Sequence, residues 1–157
     1  MRLFRALLRT LNHLRQVTEP YYSSHGISGP QWGVLRTLHR AQVEGTKSLR
    51  LTDLGERLLI RPPSVTGVVD RLERMGLVRR VPSKADRRVR ELRLTGEGRK
   101  LVARVLTRHS SYVRSLFDGL TLREQEYLRG LLDRLDAHFT VFAGHRRNDV
   151  PAGPAKT

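Results

Sequence analysis

Apolar residues recur along this chain at two different periods, and the places where the period changes mark its elements. Leu3, Phe4, Leu7, Leu8, Leu11 and Leu14 fall three and four residues apart, with Arg5, Arg9, Asn12 and Gln16 on the other side. This spacing predicts an amphipathic helix over residues 2 to about 17. Glu19-Pro20 and the run Ser23-Ser24-His25-Gly26 are expected to end it. Ser28, with Gln31 three residues on and Pro30 between them, carries the pattern of a capping box. A second helix is therefore predicted from about Pro30, carrying Trp32, Leu35 and Leu38. A polar loop is expected over Ala41 to Ser48, and Thr52 is placed as the cap of a short helix through Leu54, Leu58 and Leu59.

Ile60-Arg61-Pro62-Pro63 must turn, because each proline lacks an N–H and pushes the residue before it out of the helical region. From Ser64 the apolar positions Val65, Val68, Val69, Leu72 and Met75 form one stripe that stops at Gly76. Two short helices joined by a tight turn predict a helix-turn-helix. Leu77 to Val81 and Val89 to Leu94 are short and β-prone, and they flank the basic tip Pro82-Ser83-Lys84-Ala85-Asp86-Arg87-Arg88. They read as a hairpin, and a hairpin directly after a helix-turn-helix is a wing.

Helical spacing returns after Thr95 with Leu101, Val102, Val105, Leu106, Tyr112, Val113, Leu116 and Phe117, until Gly119 breaks it. Thr121 and Glu124 form a second capping box, opening a helix through Leu128, Leu131, Leu132, Leu135 and Phe139. The expected fold class is mainly α with a small β-hairpin wing. One domain is predicted over residues 1–144, with its winged helix-turn-helix lobe at about 49–94 and a disordered tail over 145–157.

Charge changes this picture from a fold to a class of partner. The chain has 157 residues, with 30 Lys and Arg against 15 Asp and Glu, a net charge of +15. The densest positive block, net +7, lies in residues 61 to 100, the stretch with the hairpin signals. A membrane-surface helix would instead line Lys and Arg along one face of a long helix. Double-stranded DNA fits better. There is no cysteine, which excludes disulfides, thiolate metal sites and cysteine-based peroxide sensing. The longest apolar runs are only a few residues, and the N-terminus interleaves Arg with Leu, so a soluble cytoplasmic protein is expected.

Removing the apolar stripe from the helix after Pro63 leaves Ser64, Thr66, Gly67, Asp70, Arg71 and Arg74 on the outer face. Short side chains there let a backbone approach a groove closely, and arginines reach phosphates or guanine edges. Arg61, just before this helix, and Lys84, Asp86, Arg87 and Arg88 in the wing tip complete the candidate DNA-binding set. Asp86 is expected to hold the Arg88 guanidinium extended for a narrow minor groove. The alternative to a sequence-specific regulator is a winged-helix architectural or non-specific nucleic-acid-binding protein. Enzyme chemistry finds no support: there is no phosphate-binding Gly-Lys-Ser/Thr motif and no clustered carboxylate pair. No metal site is expected from the six scattered histidines, and no cofactor is called for.

Leu51-Thr52-Asp53-Leu54-Gly55-Glu56-Arg57-Leu58, the stretch from Pro63 to Val78, and Asp86-Arg87-Arg88 followed by Leu92-Arg93-Leu94-Thr95-Gly96-Glu97-Gly98 resemble the MarR family of bacterial regulators. The resemblance covers roughly residues 1 to 142. It implies a homodimer held by helices at about 1–18 and 95–142, reading a pseudo-palindromic operator and acting as a ligand-responsive repressor. It places Ser64, Thr66, Gly67 and Arg71 toward the major groove and Arg88, supported by Asp86, in the minor groove. Gly67 departs from members with a long side chain there. The resemblance also implies a small aromatic or anionic effector, for which His13, Tyr21, Tyr22, His25, Trp32 and Arg36 are candidate lining residues.

Overall fold

A computed structural model describes residues 1–58, 62–83, 86 and 88–148. In chain order the elements are α1 (Arg2–Ser23), α2 (Gly29–Val43), β1 (Leu49–Arg50), α3 (Leu51–Leu58), α4 (Pro62–Arg74), β2 (Val78–Pro82), β3 (Arg90–Leu94), α5 (Gly96–Ser115) and α6 (Leu122–Asn148). Residues 1–108 and 109–157 form two compact units.

The first unit is organised by a core that every element from α2 to α5 feeds. Trp32, Val34, Leu35 and Leu38 come from α2, Leu54 from α3, Val65, Val69 and Leu72 from α4, and Leu101, Val102 and Val105 from α5. Val78, Leu92 and Leu94 close it from the sheet, whose strand order is β1-β3-β2 with both pairings antiparallel. In β3, Leu92 and Leu94 point inward and their neighbours outward, the period-2 pattern of a one-sided sheet.

Local chemistry sets the boundaries. Ser28 accepts from the Gln31 N–H at 3.4 Å while the Gln31 side chain accepts from the Ser28 N–H at 2.8 Å, the predicted capping box. Helix α4 ends at Arg74, and the chain turns away at Gly76, whose φ of +71° suits glycine. The Leu77 N–H returns to the Leu72 carbonyl and the Gly76 N–H to Glu73, satisfying carbonyls that the helix end leaves open. Thr95 caps α5 through its hydroxyl, which accepts from the Gly98 N–H at 3.0 Å and donates to the Gly76 carbonyl at 2.6 Å. The end of α4 is thereby tied to the start of α5. Gly98 sits so close to the Leu77 carbonyl that a Cβ would collide with it.

In the second unit, Thr121 and Glu124 make the second predicted capping box, with contacts of 2.8 Å and 3.3 Å. The Gln125 amide donates to the carbonyls of Phe117 and Leu120, fixing the turn before α6.

Several boundaries differ from the sequence expectation. Helix α1 runs through Pro20 to Ser23: Tyr21 and Tyr22 pack against the core, and the Tyr21 hydroxyl donates to the Val105 carbonyl at 2.9 Å. These tertiary contacts hold the last turn helical despite the proline. Ala41 belongs to α2 and is buried, so the polar loop starts only after Val43. Thr52 lies inside α3; the N–H of Arg50, the residue before the helix, donates instead to the Asp53 carboxylate in the first turn at 3.2 Å. Met75 leaves the α4 stripe, 45% exposed, and its sulfur receives the Gln31 amide. Helix α6 continues to Asn148, and 149–157 lie outside the described residues.

Candidate nucleic-acid interface

The outer face of α4 is as the stripe predicts. Ser64, Gly67, Asp70, Arg71 and Arg74 are exposed and Thr66 half-buried, while Val65, Val69 and Leu72 are in the core. Burying one side this fully fixes which residues the helix presents. The Arg71 Nε donates to the Gly67 carbonyl at 3.1 Å, so its guanidinium lies back along the helix.

Asp70 faces outward but is not free to meet a polyanion. Its carboxylate accepts from Arg80 on β2 at 2.6 Å, and the other side of the same guanidinium is paired with Glu73. Glu73 also accepts from the Arg80 backbone N–H at 3.2 Å. The hydrogen bond that Arg80 donates to Asp70, with the charge of Glu73 adding to it, raises the Arg80 pKa above its ordinary value. This planar fork bridging two carboxylates ties α4 to β2. Asp70 thus positions the wing.

At the wing tip, Asp86 and Arg88 are exposed. Contrary to the sequence expectation, Asp86 does not hold the Arg88 guanidinium. Its Oδ1 accepts from the Arg88 backbone N–H at 2.9 Å, and its carbonyl accepts from Val89 at 3.0 Å. A short carboxylate two residues away closes a local turn more readily than it reaches a long side chain. The support for Arg88 is therefore through its backbone. Arg61, Lys84 and Arg87 lie outside the described residues.

The base of the wing is pinned by a residue that no sequence pattern singles out. Glu91 on the central strand accepts from the Ser48 hydroxyl at 2.5 Å. The Ser48 and then the Ser83 hydroxyl, with Arg50 nearby, hold its carboxyl below the usual range. Ser83 is itself buried at the mouth of the tip, and its N–H donates to the Val89 carbonyl.

The geometry is that of a helix-turn-helix followed by a cross-braced basic wing, and the comparisons name its lineage. The sequence profile of the MarR family matches residues 25–89. The homoprotocatechuate degradative operon repressor of Escherichia coli is 30% identical over 146 residues, covering 93% of each chain. The chain belongs to the MarR family. It is a winged-helix transcriptional regulator. PecS of Dickeya dadantii, an HTH-type transcriptional regulator, is 31% identical over 117 residues, 74% of this chain and 69% of PecS. Among solved structures, a MarR mutant from E. coli complexed with operator DNA has the same fold, with a TM-score of 0.77 at 24% identity, covering 86% of this chain and 94% of that one.

The candidate effector residues are only partly brought together in this MarR-family chain. Tyr21 meets Tyr22 edge-on with ring centroids at 5.5 Å and His25 at 5.1 Å, and Tyr22 stacks on Trp32 at 6.0 Å. Beside them an open cavity of about 540 Å³ is lined by Tyr21, Ser24, His25, Arg104, Thr107 and Arg108. His13 and Arg36 are exposed and are not among its lining residues. Arg104 and Arg108 were missed in the sequence because only folding brings α5 against the end of α1. Their i, i+4 spacing was the one available signal. Among the described residues no group of three potential metal ligands occurs, and no helix is long and apolar enough to cross a membrane.

Proposed function

We propose that this chain acts as a homodimeric repressor on a pseudo-palindromic operator, with α4 in the major groove and the wing tip in the minor groove. The observation that carries the reading is the Asp70–Arg80–Glu73 bridge. It makes α4 and β2 one rigid reading head, and two such heads related by a twofold axis suit two half-sites. The E. coli relative that is a degradative operon repressor and the E. coli MarR mutant complexed with operator DNA support the same reading. The exposed apolar residues of α1, among them Leu3, Phe4, Leu8, Leu11 and Leu14, and of α6, among them Leu128, Leu131, Leu132 and Phe139, supply the dimer contacts.

The cavity at Tyr21 and His25 is the effector site in this reading. Aromatic walls with two arginines suit a small aromatic anion. Occupying it would shift the end of α1 against α5 and change the spacing of the two reading heads.

The test is a mobility-shift series with genomic fragments at several salt concentrations. Some fragments are expected to bind far more tightly than random DNA, with log K falling by about 0.9 per phosphate neutralised for each tenfold rise in salt. Equal binding of all fragments would favour the architectural alternative. Arg104→Ala is expected to abolish release by aromatic acids without weakening operator binding.

A further inference from the structure

Glycine is the poorest helix former after proline, so a glycine inside a helix calls for a reason. Gly67 has none in the packing of this chain: a Cβ added there would meet nothing within 4 Å. It is exposed, in the middle of α4, on the face that carries Ser64 and Arg71. Gly67 borders an open cavity of about 440 Å³, whose lining joins Ser64, Gly67 and Arg71 to Val34, Leu58 and Val68. The recognition face therefore has an apolar dent with one cation at its edge. Arg71 is kept at that edge by its 3.1 Å hydrogen bond to the Gly67 carbonyl.

In the major groove the only apolar feature of a base edge is the 5-methyl group of a pyrimidine. Resting on the DNA-binding reading above, we infer that the Gly67 dent receives the 5-methyl edge of a pyrimidine in each half-site, and that it is a specificity-determining feature of this regulator. The dent is continuous with the α4 reading face through Ser64, Gly67 and Arg71. Arg71 beside it is placed for a neighbouring guanine or phosphate. Gly67, which looks like a missing base contact in the sequence, then contributes by shape: the absence of a side chain is what lets the methyl in.

The experiment uses the full chain and a duplex selected from random sequence by its binding. Each thymine of that duplex is replaced in turn by uracil, which removes only the 5-methyl. One position per half-site is expected to lose about fourfold in affinity, and about fifteenfold when both half-sites are changed, from burial of one methyl each. At that position, cytosine against 5-methylcytosine distinguishes the sources: recovery with 5-methylcytosine assigns the site to any 5-methylpyrimidine, and recovery with thymine alone restricts it to thymine. Gly67→Leu fills the dent and is expected to erase the uracil effect. Gly67→Ala, which adds a Cβ into open space, is expected to keep most of it. Thermal unfolding of both variants checks that they fold. If every thymine tolerates uracil while the duplex is still preferred over random DNA, the inference is overturned and the DNA-binding reading stands. If no duplex is preferred, both fall. A uracil effect that persists undiminished in Gly67→Leu also overturns it, because the methyl is then read elsewhere.

Discussion

The winged lobe and the helical arms of this chain carry apolar stripes of similar regularity, yet the structure treats them differently. In the lobe the stripes of α2, α3 and α4 converge, and Leu35, Leu54, Val69 and Leu72 are completely buried. In α1 no residue is buried, and in α6 Leu128, Leu131, Leu132 and Phe139 are exposed. A stripe shows that a face must leave water, but not whose surface will cover it. The lobe finds its cover within its own unit, while under the proposed reading a second copy covers the arms.

The strongest way to break this comparison is to damage the lobe. Leu72→Ala removes a fully buried side chain between α4 and the sheet, and is expected to cost about 3 kcal/mol in urea unfolding. Gly98→Ala would normally strengthen a helix, but here the new Cβ meets the Leu77 carbonyl. A loss of about 2 kcal/mol is expected, and a gain would show that α5 starts farther from β2. In the arms, Leu128→Glu with Leu132→Glu would cost a monomer less than about 0.5 kcal/mol per site. The expected effect is instead on association: sedimentation should show a concentration-dependent dimer in the parent chain and monomer in the double variant. A double variant that stays dimeric removes α6 from the interface.

Smaller changes sharpen the picture of the lobe itself. Arg80→Ala leaves Asp70 and Glu73 facing each other without their cation. Because all three groups are partly exposed, the loss is expected to be only about 1 kcal/mol in thermal unfolding. Operator affinity should fall further than stability does, and Arg80→Lys should restore it poorly because a single ammonium cannot bridge both carboxylates as a planar fork does. The smallest effect concerns pH. Glu91 has its carboxyl held below the usual range by Ser48 and Ser83, so its contribution is present above the unfolded value near 4.5 and is lost as pH falls through the lower folded value. The urea midpoint should therefore decline below that pH, and Glu91→Gln should flatten the decline.

What could be read from the sequence was what local chemistry decides. The boxes at Ser28–Gln31 and Thr121–Glu124 involve residues three apart, and the α4 face follows from one period. What could not be read depends on distant partners. Pro20 is outweighed by Tyr21 meeting Val105, 84 residues away. Arg80 looks like one more basic residue until the turn at Gly76 brings it back on Asp70 and Glu73. The two-residue strand β1 has no period to detect and exists only because β3 pairs with it. The Asp86 contact was placed on the right pair of residues but on the wrong group, since sequence spacing does not separate a backbone N–H from a guanidinium.

Under the proposed reading, α4 and the braced wing together read DNA in two symmetric half-sites. Hydroxyl-radical and methylation footprinting of the parent chain and of Arg88→Ala on one selected duplex tests it directly. Two equivalent protected half-sites are expected about one helical turn apart, each with major-groove protection flanked by minor-groove protection, with loss of only the flanking minor-groove protection in Arg88→Ala. A single continuous footprint without half-sites, or one that Arg88→Ala weakens uniformly, would contradict it.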